Sequence, residues 1–122
     1  MPESVDSADE YLDRLQEIFP NANCRDAPFY ISMELDSFNR TLSYSDSITI
    51  FCKYNCGCFR GAKQRPKNQG FIVTKDLNSN SITIKDAIQV FYTHKYKAKC
   101  DHCYLEGFHQ ITLNEFIAEF GS

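Results

Sequence analysis

The chain has 122 residues, 43% apolar and 14% aromatic, with ten Phe, seven Tyr and no Trp. That length suits one domain with a packed core rather than two. A net charge of −3 gives no global argument for nucleic acid or a membrane surface, and no run of 18 apolar residues is present to cross a bilayer.

Charge is unevenly spread. Residues 1–36 carry nine acidic and two basic side chains, net −7, so the remainder carries seven acidic and eleven basic, net +4. The opening "MPESVDSADEY" has neither a basic n-region nor an apolar h-region. The expectation is an intracellular protein, cytoplasmic or nuclear, in a compartment that disfavours disulfides.

The first predicted element is a helix over 7–19, "SADEYLDRLQEIF". Tyr11, Leu12, Leu15, Ile18 and Phe19 form one apolar stripe. Ser7 with Glu10 offers a capping box, and Pro20 with Asn21 ends the helix. Such a stripe either packs on the chain's own core or forms an assembly surface. A short strand is expected in "FYISMEL" (29–35). Residues 1–6 and 121–122 are expected to be flexible ends of a single domain.

"SITIFC" (47–52) alternates, with Ile48, Ile50 and Cys52 facing one way and Thr49 and Phe51 the other. This predicts a strand. "FRGAKQRPKNQG" (59–70) reads as a basic loop carrying Arg60, Lys63, Arg65 and Lys67. "FIVTKDL" (71–77) is a further strand, and "SNS" (79–81) a break. "ITIKDAIQVFY" places Ile84, Ala87, Ile88 and Phe91 at helical spacing, capped by Thr83 with Asp86. "HKYKAKC" (94–100) is expected to be a strand. "TLNEFIAEF" (112–120) has a Thr112–Glu115 capping box and a helical stripe of Leu113, Phe116, Ile117 and Phe120. The expected fold is α+β: a small antiparallel sheet, a zinc ribbon and about three short helices.

Cysteines carry the chemical signal. Cys52, Cys56 and Cys58 fall within seven positions, and Cys100 and Cys103 form a second cluster. Zinc takes four tetrahedral thiolate or imidazole ligands, and two ligands on one turn need a spacing of a few residues. The C-x-x-x-C, C-x-C and C-x-x-C spacings fit, and a pair of such knuckles defines a zinc ribbon. The set favoured on spacing is Cys52, Cys56, Cys100 and Cys103, with Cys58 able to replace either member of the first knuckle. Cys24 stands apart and reads as a packed thiol. His94 and His109 read as surface or hydrogen-bonded imidazoles, and His102, inside the second knuckle, as pointing away from the ion. Buried free thiols, a disulfide framework and a redox C-x-x-C are the alternatives. One four-thiolate zinc would be structural, because it leaves no open coordination position.

The order of segments resembles the ubiquitin-specific protease family. "DSADEYLDRL" (6–15) resembles that family's "QDA-x-E-F-L-x-x-L" helix, and "FNRTLSYSDSITIFCKYNCG" (38–57) its finger strand leading into C-x-x-C-G. "SITIKDAIQVF" (81–91) resembles its "S-L-x-D-A-L-x-x-F" helix, and "YKAKCDHC" (96–103) its second knuckle. The resemblance implies the zinc-binding finger subregion with its supporting helix, and ubiquitin as one partner. It departs where catalysis would lie. The family's catalytic "G-N-T-C-Y/F-x-N" box and its His segment are missing, and the first knuckle has one residue more. The chain then reads as a natural non-catalytic relative or an excised piece.

No nucleophile elbow, phosphate-binding glycine loop or H-E-x-x-H pattern occurs. A Cys58 thiol beside His94 or His109 is the one combinatorial catalytic pair. The expected function is a non-catalytic zinc-binding module that docks a protein, either ubiquitin or a subunit of a complex. The alternative is a zinc-ribbon nucleic-acid binder. It would use Arg60, Lys63, Arg65, Lys67, Lys95, Lys97 and Lys99, with Phe59, Tyr92, Tyr96 and Tyr104 as stacking rings. The sequence leaves the oligomeric state open.

Overall fold

The structure is a computed structural model that describes residues 3–25, 29–52, 69–94 and 104–121 (backbone alone for 3–9, 69 and 121). Helix α1 runs Glu3–Ile18, starting earlier than its apolar stripe suggests. Ser7 and Glu10 therefore sit inside the helix rather than at its cap. The stop at Pro20 holds, and Gln16 secures the exit. Its Nε2 donates to the carbonyls of Phe19 (3.0 Å) and Ala22 (2.6 Å), and its Oε1 accepts from the Cys24 N–H (3.2 Å). The last carbonyls of a helix need partners of this kind.

Strand β1 is short, Tyr30–Ile31, and a 3-10 helix over Leu35–Asn39 takes the rest of the expected "FYISMEL" strand in another direction. β2 (Thr41–Ser43) and β5 (Ile82–Thr83) pair antiparallel in a two-stranded sheet. β3 spans Ser47–Cys52 and β4 spans Gln69–Thr74. α2 runs Ile84–His94. Its capping box forms as expected: the Thr83 N–H donates to Asp86 Oδ2 (2.9 Å), and the Asp86 N–H donates to Thr83 Oγ1 (3.3 Å).

β6 (Tyr104–Thr112) and β7 (Glu115–Gly121) replace the helix expected over "TLNEFIAEF". Leu113 and Asn114 form the turn, with Leu113 76% exposed, so it is not a core residue. Phe116 and Ala118 face inward with period two, and Phe120 packs against the same core. Thr112 Oγ1 does reach Glu115 Oε1 (3.0 Å), but across a hairpin turn rather than a helix start. Phe116 and Phe120 suit both periods, and pairing on both sides of β7 decides between them.

The main sheet has the order β1-β6-β7-β3-β4. It is mixed, not simply antiparallel: β1 runs parallel to β6 and β3 parallel to β7, while β3–β4 and β6–β7 are antiparallel. The described residues thus give two α-helices on a mixed α/β scaffold. One face of the sheet carries the core. Ile48, Ile50, Phe71, Val73, Leu105 and Phe116 meet Phe19, Ile88 and Phe91 there. Aromatic rings are its mortar. Phe91 lies edge-on to Phe29 (5.9 Å) and tilted to Phe71 (5.4 Å), and Tyr92 meets Phe19 (5.1 Å) and Phe29 (4.7 Å).

Candidate metal and partner site

Sheet topology sets where the cysteine segments attach. β3 ends at Cys52, which pairs with Gln69 at the start of β4 and with Ala118 in β7. β6 begins at Tyr104, paired with Gly121 at the end of β7. β7 runs with β3, and β4 and β6 run against them. The C-terminal ends of β3 and β7 therefore share one end of the sheet with the N-terminal ends of β4 and β6.

The segment 53–68 joins β3 to β4, and 95–103 joins α2 to β6. Both leave that same end. Cys52 and Tyr104 are separated by one strand, roughly 10 Å sideways, and by a three-residue offset, roughly 10 Å along the strands. Four residues of chain reach up to ~14 Å. Cys56 and Cys100, each four residues from its anchor, therefore lie within reach of a common point.

Cys56, Cys58, Cys100 and Cys103 lie outside the described residues, as do Arg60, Lys63, Arg65, Lys67, Lys95, Lys97 and Lys99. So do Phe59, Tyr96, His102 and the expected "HKYKAKC" strand. Among the described residues no group of three His, Cys, Asp or Glu side chains gathers to hold a metal.

Cys52 is described, and it is enclosed. Its side chain shares the core face of β3 with Ile48 and Ile50 and is fully buried. Burial pushes its thiol up to about 12. Cys24 is also buried and free, and the Tyr92 hydroxyl donates toward its sulfur. Burial raises the Cys24 thiol, and the hydroxyl bond opposes that. His94, at the last turn of α2, stacks on Phe71 at 5.2 Å. His109 lies on the opposite face of the sheet, beside Ile117.

The helix stripe turns inward. Leu15 and Phe19 are core residues, and Tyr11, Leu12 and Ile18 pack against them. The Tyr11 hydroxyl donates to the Met33 carbonyl. Tyr92 is buried between Phe19 and Phe29, so it has no face to give a nucleic-acid base. Tyr104 packs on Tyr30 at 5.4 Å. A hollow of about 540 Å³ lies between α1 and the 29–32 stretch, lined by Tyr11, Leu12, Phe29, Tyr30 and Tyr104. Arg25 at its edge is ion-paired to Asp13 at 2.7 Å.

No helix among the described residues is long and apolar enough to cross a membrane. No family model, curated protein or solved structure matches the chain.

Proposed function

We propose that the chain is a non-catalytic zinc-binding module that presents a protein-docking surface. The observation that carries the reading is the common sheet end: two segments with ligand-spaced cysteines leave it one strand apart. A single ion bridging them would clamp the β3–β4 connection to the α2–β6 connection. It would supply cross-linking to a 122-residue fold with short strands.

The ligand set we favour is Cys56, Cys58, Cys100 and Cys103. Cys52 has its side chain on the core face of β3 among Ile48 and Ile50. A ligand there would have to draw the ion into the apolar layer. Cys58 then takes the position that spacing alone gave to Cys52. Four thiolates complete a closed tetrahedral site, which is structural and has no place for a water nucleophile. The resemblance to the ubiquitin-protease finger adds ubiquitin as a candidate partner, by analogy of fold rather than from a site.

Chelation tests the metal. Zinc thiolates must stay deprotonated, so a strong chelator or mild acid lowers the melting temperature and frees thiols to a colorimetric reagent. A melting curve unchanged by the chelator overturns the reading. Partner capture with immobilised ubiquitin, with Cys100→Ser/Cys103→Ser as the control, tests the docking step. No retention of the zinc-loaded chain removes ubiquitin as partner.

A further inference from the structure

Among the described residues β4 is an outer strand of the main sheet, and the hydrogen-bond phase fixes which of its groups face outward. The Lys75 N–H donates to the Asp46 carbonyl at 2.8 Å. That marks the pair just beyond Ser47↔Thr74 as a bonded pair. Bonded and non-bonded pairs alternate along an antiparallel ladder. Val73, Phe71 and Gln69 therefore bond to Ile48, Ile50 and Cys52. The backbone N–H and C=O groups of Gly70, Ile72 and Thr74 point away from β3, to the open edge. No described strand lies there.

Proteins usually blunt such an edge with a charge, a proline, a bulge or a very short strand. The opposite edge follows that rule, since β1 has two residues. β4 does not. Its six residues, "QGFIVT", hold no charge and no proline, its register with β3 has no shift, and Ile72 on its outer face is 70% exposed.

The geometry points to the β4 edge as a self-pairing surface, on which a second copy of this chain docks antiparallel about a two-fold axis through Ile72. That axis sets Ile72 opposite Ile72 of the other copy as a bonded pair, and sets Gly70 opposite Thr74 on either side. Every outward N–H of both strands then meets a carbonyl. The pairing is isologous, so it closes at two copies and uses up the β4 edge of both, leaving only the two-residue β1 edges outermost. Directly opposed residues share a face, so the two exposed Ile72 side chains cover one another. Gly70 leaves room for Thr74 across the pair. No like charges oppose: within this register Lys75 faces Gln69. A strand of this length makes a small interface, which belongs to reversible rather than permanent association.

Analytical ultracentrifugation of the full chain as purified, over a hundredfold range of concentration, tests this. The weight-average mass is expected to rise from one toward two chain masses. Ile72→Lys places two ammonium groups across the axis and should weaken association at least about tenfold. Ile72 is exposed, so its melting point should move by only ~3 °C. Leu77→Lys, at a fully exposed site beyond the strand, should associate like the parent. Hydrogen exchange on the parent gives a second readout. The amides of Gly70, Ile72 and Thr74 should slow as concentration rises, while those of Phe71 and Val73 stay unchanged. A parent that is monomeric throughout, a dimer that survives Ile72→Lys, or edge amides indifferent to concentration would each overturn the proposal.

Discussion

Replacing Cys52 with Ala separates a core thiol from a metal ligand by magnitude. The side chain is fully enclosed on the inner face of β3, where Cys52 pairs with Gln69 of β4 on one side and Ala118 of β7 on the other. Removing its sulfur forfeits about 0.8 kcal/mol of transfer free energy, comparable to a methylene. A void of roughly 25 Å³, at about 24 cal/mol per Å³, adds about 0.6 kcal/mol. The expected loss is therefore ~1–2 kcal/mol. Losing a structural zinc ligand is a different event: the metal contributes on the order of 10 kcal/mol, as much as a domain's whole stability. Urea unfolding of Cys52→Ala, with zinc equivalents measured on the same sample, should show a small midpoint shift and full metal. Cys58→Ala should lose the metal and unfold. If Cys52→Ala sheds zinc while Cys58→Ala keeps it, the burial argument is refuted and Cys52 is the ligand.

Other perturbations read the scaffold. Phe91→Ala empties the centre of the ring cluster with Phe29, Phe71 and Phe108 and should cost ~3–5 kcal/mol in denaturant unfolding; less than 1 would contradict the packing. Gln16→Ala leaves the Phe19 and Ala22 carbonyls and the Cys24 N–H without their side-chain partner, at about 1–3 kcal/mol. Alkaline pH should also destabilise the fold. Burial pushes the Tyr11 phenol up to about 12, and Tyr92 is raised in the same direction by burial and by Cys24. Above pH 10 the unfolded chain releases these protons and the folded chain holds them. The tyrosine contribution is thus full below pH 10 and drains away as pH rises through 12, while the buried Cys52 thiol begins the same loss above pH 9. Tyr11→Phe should flatten that slope, and an unchanged slope would count against the burial of Tyr11.

Where one face of an element decides its state, the sequence is readable. The α2 pattern of Ile84, Ala87, Ile88 and Phe91 has no competing period, and its Thr83–Asp86 cap is local, so both appear as expected. β3 is legible for the same reason, and the alternation already set Cys52 beside Ile48 and Ile50. β7 was not legible, because Phe116 and Phe120 suit a helix as well as a strand, and only non-local pairing with β3 and β6 chooses. Parallel pairing of β3 with β7 joins residues more than sixty positions apart, which no local window contains. The β4 edge is equally invisible, since its place outermost among the described strands depends on non-local pairing.

In the proposed site, cysteines from the two segments at the shared sheet end hold one ion. Elemental analysis of the purified full chain tests it most directly. One equivalent of zinc per chain is expected, and Cys100→Ser/Cys103→Ser should remove it. A folded chain with no bound zinc would contradict it.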